Sequence, residues 1–464
     1  MIIEYVMSAT GHARLSTAYK LRDKVDITYL RDILNAAQNL DGVHKISMLY
    51  NAYTEKKIGR ELREIFGDSV YKIHVDSGGL QMITLGLDNT PELRAGVYKN
   101  QAESGDIGMC FDEIPIHNTS KGGGAARLNA NDKVFISDMA YEYGVRSGKN
   151  IKDQIEAYLA DESQCKPYVI FHGNTEEDYM NYCDGMMSQL KGLEHHIAGC
   201  AVSGAAIGYD SRETIDMMSV VRKLNIPEHI KKSVHMLGFG SVKRLLPSIA
   251  LIRSGYFGDD FHISYDSSTH TGCLTNREYT DKLGRRIKIE GRPQKKNKDV
   301  QDAFSMMLNA RNPGSAVDES KDSESTELLD NMLSEVWGRF SHVIPRSESE
   351  FKDFATKMWF KKLNRESLSE EDQVFEVACN LCIILSQILN FQAIVSEAFD
   401  LDTDGKERDG FVKWSSKRRM SVLDDIITHD SPEDFENWYK NNSKQLPSIR
   451  IRRGTTAEYP DFKS

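Results

Sequence analysis

The chain has 464 residues, of which 40% are hydrophobic and 28% charged, and its net charge is −10. That length accommodates two domains, or one large α/β domain of about 250 residues with an appendage. The composition is ordinary for a soluble globular protein, and no apolar stretch reaches the roughly 20 residues of a membrane span. The start, MIIEYVMSATGHARL, lacks the basic region of a secretory signal, so the expectation is a cytoplasmic protein with no membrane partner. The seven cysteines (Cys110, Cys165, Cys183, Cys200, Cys273, Cys379, Cys382) are scattered without disulfide-framework spacing, which fits reduced thiols. The acidic balance argues against indiscriminate polyanion binding, although local basic patches can still hold nucleic acid.

Short β-rich runs recur along the first part of the chain: Ile2–Ser8, Lys45–Tyr50, Tyr71–Val75, Ile107–Phe111, Tyr168–Phe171, Ile197–Val202, Val234–Leu237 and His262–Tyr265. Between them, Ile27–Leu40, Thr175–Leu190, Ser211–Leu224 and Val242–Ser254 read as amphipathic helices. Eightfold strand–helix alternation predicts an α/β fold of the (β/α)8, TIM-like barrel type, with a doubly wound sheet as the alternative. The alternation stops near Gly272. Residues 281–299 are strongly basic, Pro313–Thr326 is polar enough for a linker, and Glu327–Phe340, Ser349–Leu363 and Asp372–Phe399 look helical. The expected organisation is a barrel over residues 1–275, a basic segment and linker over 276–326, and a mostly helical C-terminal appendage over 327–464 with a frayed tail after Pro447.

In such a barrel the working residues stand at the C-terminal ends of strands. Asp76 follows YKIHV, Asp112 follows IGMCF, Asp266 follows HISY, and His172 follows YVIF. After Asp76, Gly78 and Gly79 let the backbone approach a ligand closely, and Gln81 adds an amide. Asp and Gly after a strand are also common turn chemistry, but three carboxylates converging on one rim repel one another, which favours a site.

These segments resemble, in order, those of the tRNA-guanine transglycosylases, including the DNA-modifying relatives of the DpdA type. VDSGGLQ resembles the family's VDSGGFQ, and GDIGMCFDE its segment ending in FDE. VIFHGNT stands where the family has a Gln-Gly turn, HIAGCAVSG resembles its Gly-Gly-Leu-Ala-Val-Gly stretch, HMLGFGSV its Leu-Met-Gly-Val-Gly, and ISYDSSTH sits at its Phe-Asp nucleophile. The matches span residues 70 to 272. The resemblance implies base exchange: an aspartate displaces guanine from C1′ as a covalent glycosyl enzyme, and a free 7-deazaguanine such as 7-cyano-7-deazaguanine then displaces the aspartate. It gives Asp266 the nucleophile role and Asp76 the general acid/base role. Asp112 would read the guanine-like edge with His172 in place of the family's glutamine. Ser77, Gly78, Gly79, Gln81, Gly199, Cys200, Leu237 and Gly238 would complete substrate binding. Retention at C1′ needs one carboxylate to attack and a proton carrier by the leaving group, and no redox cofactor or nucleoside triphosphate. No Walker or dinucleotide fingerprint is present, and no cofactor is expected.

The family's Cys-x-Cys-x-x-Cys…His zinc motif is missing, since only Cys273 follows Asp266 before Cys379, so no metal is expected. Cys379 and Cys382 form a CxxC inside FEVACNLCIILSQIL, which reads as a buried helix. His195 and His196 read as structural. Asp400 to Gly405 imitates half a calcium loop but carries Phe411 where the bidentate Glu belongs. Lys121 to Gly124 reads as a flexible loop, with a phosphate contact as the sharper alternative. A run such as Lys282, Arg285, Arg286, Lys288, Arg292, Lys295, Lys296 and Lys298 is ordinarily a solvated face, but this one closely follows the nucleophile strand and is the preferred nucleic-acid contact. Lys417 to Arg419 and Arg450, Arg452 and Arg453 are weaker candidates. The missing zinc motif and DSSTH favour DNA as substrate over tRNA, with a protein partner or homodimer left open. A non-catalytic nucleic-acid-binding barrel is disfavoured by Asp76 and Asp266, and a carbohydrate-acting glycosidase by the scarcity of aromatics at these strand ends.

Overall fold

The computed structural model describes residues 2–8, 13–38, 44–55, 58–79, 89–119, 132–203, 211–240, 242–258, 260–281, 286–289, 319–400, 431–446 and 451–460, and single residues 11, 429, 448 and 462. Gln81, Lys121 to Gly124, Lys282, Arg285, Arg292, Lys295, Lys296, Lys298, Lys417 to Arg419 and Arg450 lie outside the described residues, as does the calcium-like turn beyond Asp400.

Eight parallel strands close into a barrel. In chain order they are β1 (Ile2–Met7), β2 (His44–Asn51), β3 (Ile73–Asp76), β4 (Ile107–Met109), β7 (Lys166–Phe171), β8 (Gly199–Ser203), β9 (Ser233–Leu237) and β10 (His262–Ser267), with β1 paired to β10. All eight expected strands are present, and the doubly wound alternative is set aside because the sheet has no edge. Two further short strands, β5 (Ile116–Asn118) and β6 (Lys133–Ile136), form an excursion between β4 and β7.

The flanking helices follow from their apolar spacing. In the helix Thr28–Gln38, Leu30, Ile33, Leu34 and Ala37 recur at helical period and are buried. The helix Glu176–Ser188 starts on a capping box of Thr175 and Asp178. Strand residues facing outward pack under these helices, whereas those facing inward fill the barrel.

The C-terminal helices are Glu319–Phe340, Glu348–Trp359 and Glu370–Asp400. The last is the one described helix long and apolar enough to cross a membrane, but its apolar stretch is wholly buried inside the protein. It packs on the helices Leu15–Leu21, Thr28–Gln38 and Val242–Arg253. Its Phe391 ring lies 6.4 Å from that of Tyr5 on β1 and 5.9 Å from that of Tyr265 on β10. This helix therefore covers the β10–β1 seam, the place of an eighth barrel helix, and its core is continuous with that of the barrel. Buried Glu376 ties it down through Arg14 at 2.6 Å and Arg365 at 2.7 Å. Cys379 and Cys382 are buried within it, as a core helix requires, and burial pushes both thiols up.

The end of the chain corrects the expectation of a frayed tail. A strand, β13 (Arg452–Gly454), pairs in parallel with β6, Ile451 is buried, and Arg453 bridges Glu177 and Asp178 at 2.9 Å each. Three residues are too short to show periodicity, so pairing and ion contacts hold what pattern did not reveal. Arg452 and Arg453 are accordingly engaged with carboxylates: Arg452 lies 3.1 Å from Glu458.

Candidate active site

Each barrel strand presents its C-terminal end to one mouth, where a cavity of about 260 Å3 opens. Asp76 is the last residue of β3, Asp112 lies three residues beyond β4, and Asp266 is the penultimate residue of β10. All three line this cavity, together with Leu237 and Gly238 at the end of β9. Five predicted site residues, from four strands, therefore meet in one place. A larger cavity of about 520 Å3 lies between the helices Glu176–Ser188, Ser211–Lys223 and Pro432–Asn442, and contains none of them.

Asp76 accepts a hydrogen bond from Asn51 Nδ2 at 3.0 Å. The Asn51 amide is turned that way because its Oδ1 accepts from the backbone N–H groups of Tyr53 and Thr54, at 3.0 and 3.2 Å. Burial pushes the Asp76 carboxyl up to about 6, and the charges of Asp112 and Asp266 add to the rise; the Gly78 and Ser77 N–H groups oppose it. A carboxyl placed there exchanges protons near neutral pH. Gly78 holds φ +81°, and a Cβ at this position would stand 2.9 Å from Tyr53 Cβ, so both conformation and space demand glycine. A Cβ on Gly79 would approach Asp112 Oδ1 to 3.1 Å. Ser77 is buried, and its Oγ accepts from the Gly79 N–H at 3.3 Å, closing the turn rather than facing the cavity.

Asp266 Oδ1 accepts from the Gly238 N–H at 2.8 Å, and His235 Nε2 lies 3.4 Å from the same oxygen. The Asp266 side chain is 16% exposed, which leaves it open to the cavity. Asp112 is nine-tenths buried, with its Oδ2 2.5 Å from His172 Nε2.

His172 is fully buried behind Asp112 and does not line the cavity, so direct reading of a base edge by His172 is corrected: its ring reaches the site only through Asp112. Gly199 and Cys200 are also displaced from the expected pocket. They begin β8, whose C-terminal end is Ser203, and so stand at the far end of the strand from the mouth. Gly199 has a packing reason, since a Cβ there would lie 2.5 Å from the Ser233 carbonyl oxygen and 2.8 Å from the Tyr168 ring. In the basic segment, Arg286 and Lys288 lie on β12 (Arg286–Lys288), paired with β11 (Glu278–Thr280), and Arg286 is ion-paired with Glu278.

Sequence reasoning missed Asn51, Glu55 and His235. Asn51 is the first polar residue after KISMLY and obeys the same strand-end rule as the aspartates. Glu55 brings a fourth carboxylate to the cavity from the loop after β2, and its Oε2 accepts from the Asn51 N–H at 3.3 Å. His235 had no signal beyond being a polar residue inside an apolar run.

Cys273 is buried, Cys379 and Cys382 sit in the core helix, and no group of three or more His, Cys, Asp or Glu able to hold a metal occurs among the described residues. A scan against models of known protein families finds no match for this chain, and a search of curated proteins finds no relative.

Proposed function

We propose that the chain is a guanine transglycosylase that exchanges guanine in DNA for a 7-deazaguanine base through a covalent aspartyl-glycosyl intermediate. The observation that carries this reading is the convergence of Asp76, Asp112 and Asp266 on one small cavity, where one carboxyl is raised to about 6 and another is fixed at one oxygen by a backbone N–H. Mere structural carboxylates would not be gathered against their mutual repulsion.

In the first half-reaction Asp266 attacks C1′ and the C1′–N9 bond breaks. Asp76, as the carboxylic acid, gives its proton to the departing guanine. In the second, the Asp76 carboxylate takes a proton from the incoming 7-deazaguanine, whose freed nitrogen attacks C1′ and releases Asp266. The two steps return both aspartates to their starting forms. Asp112, with Oδ2 occupied by His172, has Oδ1 to accept from the N–H edge of the base. Bare Gly79 leaves room beside that oxygen.

DNA is the substrate we favour, because the sequence lacks the zinc motif of the tRNA enzymes and carries DSSTH from the nucleophile position onward. The target nucleoside must then leave the base stack to reach the cavity. Mass spectrometry of nucleosides from DNA and tRNA, in cells with and without the protein, tests the proposal. A 7-deazaguanine gained in DNA is expected; one gained only in tRNA moves the substrate, and none in either removes the reading.

A further inference from the structure

Inside the barrel, four strands alternating around the ring, β1, β3, β7 and β9, contribute Glu4, His74, Tyr168 and His235. Barrel interiors are usually filled by branched apolar side chains, and polar groups in that place cost desolvation that leucine would not. Glu4 and His74 are fully buried, with Glu4 Oε1 2.7 Å from His74 Nε2, and the His74 ring centroid lies 5.5 Å from that of His235. His235 is likewise fully buried, and it is the member of the four that comes within 3.4 Å of Asp266.

We propose that His235 is the positioning residue of Asp266: its Nε2–H and the Gly238 N–H together occupy Oδ1 and leave Oδ2 to form the bond to C1′. The inference rests on the reading of Asp266 as nucleophile. Its first support is the neighbour on β10. Ser264 is the register partner of His235, and its Oγ lies 2.8 Å from His235 Nδ1. When the Ser264 hydroxyl donates to Nδ1, the ring hydrogen resides on Nε2, facing the carboxylate. The second support is geometric. Gly238 holds Oδ1 at 2.8 Å from one side, so a second donor on the same oxygen stops the carboxylate from exchanging its oxygens by rotation. A separation of 3.4 Å is longer than a full hydrogen bond, as such contacts often are before substrate binds.

The experiment is single-turnover formation of the protein–oligonucleotide adduct, read on a denaturing gel, with oligonucleotide binding followed by fluorescence anisotropy. His235→Leu fills the space without a donor and slows adduct formation by about 10- to 100-fold at unchanged binding, the effect of a misplaced reacting atom. His235→Gln restores an N–H and recovers most of the rate. Ser264→Ala, which removes the group that sets the tautomer with little change in volume, gives a smaller slowing and decides the matter if His235→Leu does not fold. The proposal is overturned by a folded His235→Leu protein that reacts at the wild-type rate, by His235→Gln no faster than His235→Leu, or by Ser264→Ala indistinguishable from wild type. Wild-type protein that forms no adduct at all removes the transglycosylase reading, and this inference with it; reactive wild type with equally reactive variants removes this inference alone.

Discussion

Varying the pH of a single turnover probes Asp76 directly. With its carboxyl at about 6, the acid form is about nine-tenths of the population at pH 5, half at pH 6, a tenth at pH 7 and a hundredth at pH 8. A carboxyl left at 3.8 would hold under about 0.1% of its proton at pH 7, so the raised value supplies about 10² more acid there. The sign is that of a group whose acid form persists to higher pH. Adduct formation, which consumes the proton, is therefore expected to be level below pH 6 and to fall about tenfold per unit above it. Resolution of the adduct by added 7-deazaguanine needs the carboxylate and should run the opposite way, rising to a plateau above pH 6. Because burial and the charges of Asp112 and Asp266 cause the rise, Asp112→Asn should move the limb to lower pH. Asp76→Asn keeps the shape, removes the limb, and lowers turnover by about 10² to 10⁴. The assay is adduct on a denaturing gel against time at each pH. A rate flat from pH 6 to 8, or a limb near 6 that survives in Asp76→Asn, refutes the assignment.

Two further outcomes follow from neighbouring geometry and from the basic segment. Gly78→Ala forces a side chain into φ +81° and against Tyr53, costing about 1–3 kcal/mol by thermal melting, and it moves the Gly78 N–H off Asp76, so the pH limb should rise. Replacing Lys295, Lys296 and Lys298 together with alanine should weaken nucleic-acid binding and flatten its salt dependence by about one unit of slope per lost phosphate contact, while bound substrate still reacts; an unchanged slope returns this run to a solvated face.

The barrel was legible because each strand is a short apolar run and several intervening helices, such as Thr28–Gln38, carry an apolar stripe, two periods that sequence displays openly. The three aspartates were legible for a related reason: in a closed parallel barrel, the first polar residue after a strand stands at the mouth end, where working residues collect. The same rule finds Asn51, the residue directly after Tyr50, which pairs with Asp76 across β2 and β3. What pattern did not reveal depends on depth and on distant partners. His172 follows its strand as the aspartates do, yet its ring turns into the core to meet Asp112. Gly199 and Cys200 look like a ligand turn in sequence, but strand register sets them at the bottom of β8. The helix Glu370–Asp400 reads as an appendage because 102 residues separate it from β10, whereas packing places it over the β10–β1 seam. His235 becomes visible only when β9 and β10 are set side by side.

Base exchange by this route depends above all on Asp266 as the residue that carries the nucleoside. Wild-type protein and Asp266→Ala, each verified as folded by circular dichroism, are incubated with a guanine-containing oligonucleotide and 7-cyano-7-deazaguanine, then run on a denaturing gel and digested for nucleoside analysis. Wild-type protein is expected to give a trapped complex and base exchange, and Asp266→Ala neither. A trapped complex with Asp266→Ala would contradict the account and assign the bond to another residue in the cavity, with Asp76 the first to test.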